Sequence, residues 1–372
     1  MENQKNNSPI KVLVISNYRS YHTARPEAHI FIGLAKLGFD ITIMTYGDAK
    51  LVEEFKAVGI KIIDFHPEKK FNKLEIAKIR EVLINEKIDI VHLFNSISTV
   101  NGLKAAKGLD TKVVLYRGYT GNINWWDPTA YLKYLNPRVD KIFCNSIGVE
   151  ELFKRQLFFD KNKAITINKG HNLSWYEGYD PYDIRTELGI DESAFLLVKV
   201  ANNRRMKGIP YLMETMNLLR RGSNIHLILV GRDMDTKENL AILKKGGMLD
   251  RVHFIGFRDN ALNIVAACDA FVLSSITGES ITKSVIEAMS LGVPPIITDI
   301  PGNVELVQHG ESGLVTRTKK PSSMADAINR IYEDPIFCKQ LGANAKKRVL
   351  THLNTEQTVL KTKEMYENLL NS

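Results

Sequence analysis

Residues 270–298 read AFVLSSITGESITKSVIEAMSLGVPPIIT, and this stretch decides the fold. The apolar and β-branched residues at 270–274 and 295–298 predict two buried strands. Between them, the pattern that begins near Ser284 is typical of an amphipathic helix. A strand, a helix and a second strand within about thirty residues indicate a βαβ unit, in which the two strands lie parallel in one sheet.

The same alternation runs through the whole chain, in two series separated by an aromatic, turn-rich segment at residues 172–191. Ligands of doubly wound sheets bind at the carboxyl ends of the strands. We therefore predict an α/β fold of two Rossmann-like domains that face a cleft, with one ligand on each wall. The predicted strands are Lys11–Ile15, Asp40–Thr45, Lys61–Asp64, Asp89–Leu93, Lys112–Tyr116, Asp140–Cys144 and Ala164–Asn168, then Phe195–Val200, Ile225–Val230, Val252–Ile255, Ala270–Ser274 and Pro295–Thr298.

The two series also set the predicted domain boundaries. Residues 1–172 form the first domain, 173–191 the hinge and 192–354 the second domain. The helix pattern within 355–372 is far in sequence from the strands of the second domain, and we expect it to cross back to the first. Near the start of the chain, the pattern predicts a helix over Glu27–Leu37 with Gly38 directly after its end.

The composition is typical of a globular enzyme, with 44% hydrophobic and 25% charged residues among 372. No apolar run approaches the roughly 18 residues that span a membrane. The polar start of the chain lacks the pattern of a signal peptide. Cys144, Cys268 and Cys338 occur singly, as expected for reduced thiols, and we predict a cytoplasmic protein.

The formal net charge is +8. A basic surface can bind nucleic acid, an anionic membrane or phosphorylated ligands, or can simply keep a protein in solution. Zinc-finger spacings, RNP motifs and dense basic runs are lacking, which argues against nucleic acid. We therefore expect phosphorylated ligands and a peripheral contact with an anionic membrane, at the inner face of the plasma membrane.

Two carboxylates, Glu279 and Glu287, are separated by seven residues. Glu279 is predicted at the mouth of the ligand site, and Glu287 about one turn inside the helix. One carboxylate can then bind sugar hydroxyls and the other a ribose, while N–H groups at the helix N-terminus face a diphosphate. The alternative for Glu287 is a capping box with Ser284, and for Glu279 a solvated loop.

A second group of candidates lies in residues 198–210, VKVANNRRMKGIP, which run from a strand into a helix. Arg204, Arg205 and Lys207 cluster at this junction, where a diphosphate would bind. Their positive charges would stabilise the negative charge of a departing diphosphate. The alternative is a solvated basic loop.

Residues 286–315, together with the spacing of Glu279 and Glu287, resemble the Glu-x7-Glu signature of family 4 retaining glycosyltransferases, which have the GT-B fold. The resemblance implies that Glu279 contacts the donor sugar and Glu287 the nucleotide ribose. The family usually has Gly-Phe-Gly after the first Glu, where this chain has three other residues. The sugar pocket is therefore expected to be tighter, and the donor sugar stays open. The three residues are Ser280, Ile281 and Thr282.

The family also carries an Arg and a Lys-Gly pair that bind the donor phosphates. Lys207 and Gly208 match the pair, and Arg204 is the first candidate for the Arg, with Arg205 second. Gly231 and Phe257 are further donor-site candidates. Gly231 would allow close approach of the backbone to a ligand. Phe257 follows a strand where the family's nucleobase lies, and its alternative is the core.

The first predicted domain offers fewer signals. The glycine pattern GxGxxG is lacking after its first strand, which argues against an NAD-dependent dehydrogenase. Arg25 is a candidate for the acceptor site, with a solvated loop as the alternative. Arg117 stands where the family often has His, and could bind an anionic acceptor or the donor sugar. His171 is a candidate for the cleft, with a structural role as the alternative.

Two further motifs leave alternatives open. Trp125 or Trp126 could stack on a sugar or lie at a membrane surface, and ordinary loop packing is the alternative. Asp233 and Asp235 form an Asp-x-Asp motif like that of metal-dependent transferases, but the nearest sequence lacks His, and a solvated turn fits better. We therefore expect no metal and no cofactor.

We predict a retaining hexosyltransferase that moves a sugar from a nucleotide-diphosphate sugar to a glycan or lipid-linked acceptor, in the synthesis of a cell-surface polysaccharide or lipopolysaccharide. The resemblance assigns the acceptor to the first domain and the donor to the second. One alternative is a nucleotide-sugar epimerase of the same fold. Another is a non-catalytic sugar-nucleotide-binding partner in a membrane glycan assembly.

Overall fold

The structure is a computed structural model that describes residues 8–121, 123–158 and 160–371. The expectation of no signal peptide concerns residues 1–7, which lie outside the described residues. The chain divides into two compact units. The first runs to Gly170 and resumes at Thr355, and the second is His171–Asn354. Each unit is built on one parallel sheet, so the predicted α/β fold of two Rossmann-like units is confirmed.

Seven parallel strands form the sheet of the first unit: β1 (Lys11–Ile15), β2 (Asp40–Thr45), β3 (Lys61–Asp64), β4 (Ile90–Leu93), β5 (Lys112–Arg117), β6 (Lys141–Cys144) and β7 (Ala164–Thr166). Their order across the sheet is β3-β2-β1-β4-β5-β6-β7. Successive side chains point to opposite faces, and both faces are covered. Val12 and Val14 pack in one core cluster, and Leu13 and Ile15 in another. Strands buried on both faces explain the continuous apolar runs of the sequence.

Helices cover the two faces of this sheet: α1 (Tyr21–Lys36), α2 (Val52–Lys56), α3 (Lys73–Asn85), α4 (Ser96–Ala105) and α5 (Ile147–Gln156). A short 3-10 helix, Pro128–Leu132, lies between β5 and β6. The first turns of α3 and α4 are capped by Asn72 and Asn95, whose side-chain oxygens accept hydrogen bonds from backbone N–H groups.

Helix α1 begins at Tyr21, six residues before its predicted start at Glu27. The prediction was wrong because Pro26 ordinarily interrupts a helix by removing one backbone hydrogen bond. Here Pro26 is buried together with Ala24 and Ala28, and this packing keeps the helix continuous through the proline. Gly38 follows the helix with φ of +90°, as predicted for the residue after a helix end.

A buried ion pair joins α1 to the segment after β7. Lys169 Nζ lies 2.9 Å from Glu27 Oε2, and Ser16 Oγ donates a hydrogen bond of 2.5 Å to Glu27 Oε1. Burial alone would lower the pKa of Lys169, but Glu27 and Tyr116 together hold that pKa above its ordinary value. The ammonium therefore remains charged and compensates the buried carboxylate.

The second unit has six parallel strands: β8 (Phe195–Val200), β9 (Ile225–Val230), β10 (Val252–Phe254), β11 (Ala270–Leu273), β12 (Pro295–Thr298) and β13 (Leu314–Thr316). Their order is β10-β9-β8-β11-β12-β13. The twelve predicted strands of the chain agree with the structure to within two residues at each end. Among the strands of the described residues, β13 alone was not predicted.

The helices of this unit are α6 (Ile184–Leu188), α7 (Ile209–Asn217), α8 (Lys237–Gly246), α9 (Ala261–Ala266), α10 (Lys283–Ser290), α11 (Pro321–Glu333) and α12 (Pro335–His352). Residues 173–191, expected as a hinge, belong to this unit. Ile184 and Ile190 are buried in its core, because the apolar face of α6 packs beside β8 and α10 residues. The division of the chain falls at Gly170, two residues before the predicted end of the first domain, and at Asn354, as predicted.

The last helix, α13 (Thr355–Leu370), belongs to the first unit and packs against α1. Val359 contacts the backbone of Gly33, where any larger side chain would overlap it. Tyr366 is fully buried, and its Oη lies 2.7 Å from Nδ1 of His92 on β4. The described helices include none that is both long enough and apolar enough to cross a bilayer.

Replacement of Lys169 by Met is expected to destabilise the first unit, because Glu27 would keep its buried charge and lose its partner. The free energy of unfolding should fall by about 3 kcal/mol. Urea denaturation of the full chain at pH 7 measures this. The double variant Glu27→Gln/Lys169→Met carries no uncompensated charge and should recover part of the loss. A wild-type urea midpoint for Lys169→Met would contradict the structural role of the pair.

Candidate active site

The strand order of the second unit determines where a ligand can bind. β8 lies between β9 and β11, so the connections after β8 and β11 leave the sheet in opposite directions. Such a switch in strand order opens a crevice at the carboxyl ends of the two strands. The residues that follow β8 and β11 are Arg204–Gly208 and Ser275–Thr282, which hold most of the predicted donor-site candidates.

Gly208 holds these two connections together. It ends the short 3-10 helix Arg205–Lys207 and begins α7 with φ of +62°, a conformation that favours glycine. A Cβ at this position would overlap the carbonyl oxygen of Ser274. Ile276 N also donates a hydrogen bond of 2.8 Å to Met206 O. The Lys-Gly pair therefore has a physical reason: glycine lets the turn that carries Lys207 lie directly on the end of β11.

The structure brings Lys207 and Glu279 together. Lys207 Nζ donates to Glu279 Oε1 in an ion pair whose side chains are both largely buried. Ser275 Oγ donates a second hydrogen bond, of 2.9 Å, to the same carboxylate oxygen. Glu279 is therefore no solvated loop carboxylate. A ligand that carries both hydroxyls and phosphates can replace this ion pair. Its phosphates would bind the ammonium, and its hydroxyls would donate hydrogen bonds to the carboxylate.

A second ammonium, that of Lys199, lies beneath this pair. Lys199 is on β8, has no exposed surface, and donates a hydrogen bond of 3.1 Å to Ser274 Oγ. Ser274 Oγ in turn donates 3.0 Å to the Lys207 carbonyl. Burial, and then the charge of Lys207, lower the pKa of Lys199 to about 7, although Glu279 acts in the opposite direction. Lys199 was not among the residues predicted from the sequence, although a lysine within an apolar strand run indicates a buried charge.

The N-terminus of α10 lies at the end of the same connection. Thr282 occupies the N-cap position, and the N–H groups of Lys283 and Ser284 have no hydrogen-bond partner among the described residues. Asn303, from the loop after β12, is fully buried and accepts a hydrogen bond of 3.2 Å from Thr282 N. Its Nδ2 and the buried Thr282 Oγ1 lack partners among the described residues. These N–H, amide and hydroxyl groups can donate hydrogen bonds to an anion.

Glu287 lies one turn inside α10 and pairs with Lys283. The capping-box alternative is wrong, because Thr282 rather than Ser284 is the N-cap and Ser284 lies inside the helix. The Glu287 carboxylate is largely buried, which a capping role does not require. Its position one turn from the helix start agrees with the geometry expected from the spacing.

The remaining donor-site candidates differ in exposure. Arg204 and Arg205 are exposed, and neither takes part in an ion pair within the described part of the chain. Ser280 is buried beside Glu279, and Ile281 is half-buried against the core of the unit. The two arginines are therefore available to a ligand, whereas Ile281 has a packing role.

Gly231 and Phe257 lie at the ends of β9 and β10. Gly231 has φ of +139°, and a Cβ there would overlap the carbonyl oxygen of Ala201. The close approach that requires glycine is thus between two strand ends of the protein itself. Phe257 is 58% exposed, so the core alternative is wrong, and the Arg232 guanidinium carbon lies 5.2 Å from its ring centre.

The candidate site residues of the first unit make contacts with neighbouring residues of the protein. Arg117 is buried at the end of β5, where Nε donates 2.9 Å to Tyr119 O and Nη2 donates 2.6 Å to Gly121 O. Its guanidinium also stacks on the Tyr119 ring. Arg25 lies within α1, not in a loop, with its guanidinium carbon 5.4 Å from the Tyr21 ring centre. Arg117 therefore shapes the loop after β5.

His171 is buried in the second unit. Its Nδ1 lies 2.5 Å from Tyr176 Oη, its ring stacks on Tyr176, and its N–H donates 2.8 Å to Leu353 O. These contacts indicate a structural role for His171, which was the alternative to a position in the cleft. Asp233 has φ of +63°, beside the buried Met234. Over residues 8–121, 123–158 and 160–371, His, Cys, Asp and Glu form no group suited to a metal ion.

Comparison with known families gives two matches. Residues 182–348 match a family described as Glycosyl transferases group 1. Residues 28–175 match a family described as Glycosyltransferase Family 4. The two matches fall in different units of the structure and together cover most of the chain.

Two curated relatives illustrate the range of similarity. The chain is 28% identical over 191 residues to the N-acetyl-alpha-D-glucosaminyl L-malate synthase of Bacillus anthracis, covering 51% of this chain and 50% of that protein. It is 24% identical to the UDP-Gal:alpha-D-GlcNAc-diphosphoundecaprenol alpha-1,3-galactosyltransferase of Escherichia coli, covering 79% of each chain. The chain thus spans only half the length of the first relative.

Solved structures support the fold. A glycosyltransferase from Rickettsia africae superposes with a TM-score of 0.81 at 17% identity, over 98% of this chain and 100% of the other. Anabaena Alr3699/HepE in complex with UDP superposes with a TM-score of 0.75 at 20% identity, over 97% and 100%. The parallel-sheet architecture of both units and the two family matches place the chain among the glycosyltransferases of the GT-B fold.

Proposed function

We propose that the protein is a retaining glycosyltransferase that takes a sugar from a nucleotide-diphosphate sugar and transfers it to a lipid-linked or glycan acceptor in the synthesis of a surface polysaccharide. The observation that carries this proposal is the buried Lys207–Glu279 pair at the switch point between β8 and β11. It lies on the same connection as the unpaired N–H groups that begin α10.

A nucleotide-diphosphate sugar matches this arrangement group by group. Lys207, the exposed Arg204 and the first N–H groups of α10 would bind the diphosphate. Once Lys207 turns to the phosphates, the Glu279 carboxylate becomes free to accept hydrogen bonds from sugar hydroxyls. Glu287 would bind the ribose, in exchange for its contact with Lys283.

The chemistry follows from these positions. The acceptor hydroxyl attacks the anomeric carbon while the bond from that carbon to the diphosphate oxygen breaks. The departing oxygen takes the hydroxyl proton, and attack from the face that the diphosphate leaves retains the anomeric configuration. Lys207, Arg204 and the helix N-terminus stabilise the developing negative charge. This scheme uses no metal, and we propose that none is required.

The relatives support the choice of substrates. HepE was crystallised with UDP, and the Escherichia coli relative is named for UDP-galactose and a diphosphoundecaprenol acceptor. UDP-sugars are therefore the first donors to test, and an undecaprenol-linked sugar is the first acceptor. A lipid-linked acceptor places the enzyme at a membrane surface, which agrees with the net charge of +8.

The test is a donor screen with EDTA in the buffer. The purified protein is incubated with a panel of nucleotide sugars, with and without a polyprenyl-diphosphate sugar acceptor, and products are identified by mass spectrometry and NMR. The proposal expects an α-linked product from an α-linked donor. An inverted linkage, an epimerised donor formed without acceptor, or activity that appears only after Mg²⁺ or Mn²⁺ is added would each contradict it.

Lys207→Ala and Arg204→Ala are each expected to lower donor-dependent activity at least about tenfold, or 1.4 kcal/mol of transition-state stabilisation. Both remove positive charge from the proposed diphosphate site. Lys237→Ala, on the exposed surface of α8, is the matched control and should keep wild-type kinetics. Near-normal kcat/KM in both site variants would remove the diphosphate assignment.

The two glutamates are expected to have separable effects. Glu287→Gln should mainly raise the donor KM, because a ribose contact is similar in the ground and transition states. Glu279→Gln should mainly depress kcat, because the sugar ring gains positive charge in the transition state. Steady-state donor kinetics, with melting curves as the folding control, decide this. Equal effects of both variants on kcat and KM would count against the assigned roles.

Lys199→Met is expected to raise the thermal stability of the protein and to lower its activity. Below pH 7 Lys199 is protonated in both the folded and the unfolded state, so folding bears the full cost of burying the charge. As pH rises from 7 towards 10.5, the folded state loses its proton first and the cost declines. Lys199→Met should therefore raise Tm by about 2 °C or more at pH 6, and by less at pH 9.

The same variant should lower kcat/KM, because the Ser274 hydroxyl that holds the Lys207 carbonyl loses its buried donor. Lys244→Met, on the exposed surface of α8, is the control and should change neither Tm nor activity. A Lys199→Met protein with a lower Tm at pH 6 would show that the ammonium stabilises the fold instead.

A further inference from the structure

An exposed apolar group stands on the first unit, apart from the strand ends described above. Phe71 is 45% exposed, Leu74 83% and Leu132 46%. Phe71 and Leu74 flank the N-terminus of α3, and Leu132 ends the 3-10 helix that follows β5. Large apolar side chains that cluster at the surface usually mark a contact with a partner.

The backbone conformation that places Phe71 at the surface is energetically unfavourable. Phe71 has φ of +62°, a left-handed conformation that is unfavourable for a bulky residue. Its N–H donates 2.8 Å to the Oδ1 of the fully buried Asn101 on α4, and Asn101 Nδ2 donates 2.9 Å to Lys69 O. The protein thus stabilises an unfavourable backbone that keeps an aromatic ring at the surface.

A groove of about 580 Å³ lies beside this ring. Its size is within the range of pockets that take small ligands. Phe71 and Leu132 line it together with the α4 side chains Val100 and Leu103. Lys104, Lys107 and Arg138 also line it, and Lys104 Nζ lies 5.5 Å from the centre of the Phe71 ring. The groove is apolar along its length and basic at its rim.

Six lysines surround the apolar group: Lys69, Lys70, Lys73, Lys104, Lys107 and Lys133. In the described part of the chain none of them takes part in an ion pair. The neighbouring carboxylates are engaged locally, since Glu75 accepts from Asn101 Nδ2 and Glu68 from Tyr46 Oη. Burial, then the positive charges of Lys70 and Arg117, lower the pKa of Lys133, although Asp127 acts in the opposite direction.

We propose that these six lysines with Phe71, Leu74 and Leu132, here named the basic apolar surface, dock the protein on a bilayer that contains anionic phospholipid. The apolar side chains enter the boundary between headgroups and acyl chains, and the ammonium groups contact lipid phosphates. The groove accommodates the apolar part of a lipid at this boundary. The surface continues through Tyr131, whose Oη donates to Trp125 O, to the exposed Trp125.

The docking proposal rests on the proposed function, because an enzyme that uses a lipid-linked acceptor must reach a membrane. A bilayer fits better than a soluble anion, because Phe71, Leu74 and Leu132 expose apolar surface that a soluble anion would leave in contact with water. It also fits better than a second copy of the chain, because the six lysines outnumber the neighbouring carboxylates Glu68, Glu75 and Asp127, and this positive surface would repel an identical one.

The test is co-sedimentation of the full chain with vesicles of phosphatidylcholine alone and of phosphatidylcholine with phosphatidylglycerol. The wild type should bind the anionic vesicles much more tightly. Phe71→Asn and Leu74→Gln should each weaken binding at least about fivefold. Asn tolerates the left-handed backbone, so Phe71→Asn is expected to fold normally. The triple variant Lys70→Gln/Lys104→Gln/Lys107→Gln should weaken binding about a hundredfold, at about fivefold per lysine.

Matched controls lie in the second unit. Ile336→Gln removes an equally exposed apolar side chain, at 81%, and Lys237→Gln/Lys244→Gln/Lys245→Gln removes three exposed charges. Both should bind vesicles like the wild type. Donor hydrolysis in the absence of lipid should be unchanged in every variant, so loss of vesicle binding and loss of the proposed chemistry are separate results.

Several outcomes would overturn the inference. Equal binding to both vesicle types, or wild-type binding by the Phe71, Leu74 and lysine variants, would show that this surface does not dock on anionic lipid. Competition by inorganic phosphate at millimolar concentration would assign the surface to a soluble anion. Self-association that Leu74→Gln abolishes, seen by analytical ultracentrifugation, would assign it to a second copy of the chain.

Discussion

The pairing of β8 with β11 is the constraint on which the candidate site depends. The sheet order makes these strands neighbours although some seventy residues separate them in sequence, and their connections leave in opposite directions. Gly208 then packs against the carbonyl of Ser274 with no room for a side chain. Everything that the site needs follows from this contact, because it fixes Lys207 beside Glu279. The proposed donor site thus depends on backbone geometry as well as on the chemistry of its side chains.

The electrostatics of the candidate site favour an anionic ligand. Lys207 and Glu279 compensate one another, whereas the hydrogen bond of Lys199 within the described residues goes to the neutral Ser274 hydroxyl. Buried charges without counter-charges are costly, and proteins keep them where a ligand completes the balance. A diphosphate would supply negative charge to both lysines and release Glu279 for the sugar. The N–H of Ser284, at the start of α10, has no partner among the residues that the structure describes and offers a further donor to the same ligand.

Sequence patterns predicted most of the fold because parallel strands that are buried on both faces form continuous apolar runs. β13 was missed because its three residues stand between the turn-rich segment Gly310–Gly313 and a polar, basic run. The start of α1 was predicted too late because a proline, Pro26, lies inside its second turn. The site was predicted in part. Lys207 and Glu279 lie where expected, but periodicity cannot show that Asn303, more than twenty residues further along the chain, reaches the same helix N-terminus. Nor can it show that nearby carbonyls occupy the Arg117 guanidinium.

The most direct measurement is a crystal structure of the protein with a nucleotide-diphosphate sugar that it binds. The account predicts that the Lys207–Glu279 contact opens, with Lys207 Nζ and the N–H of Ser284 on the diphosphate, Glu279 on the sugar hydroxyls and Glu287 on the ribose. An intact Lys207–Glu279 pair, with the nucleotide bound away from the carboxyl ends of β8 and β11, would contradict it.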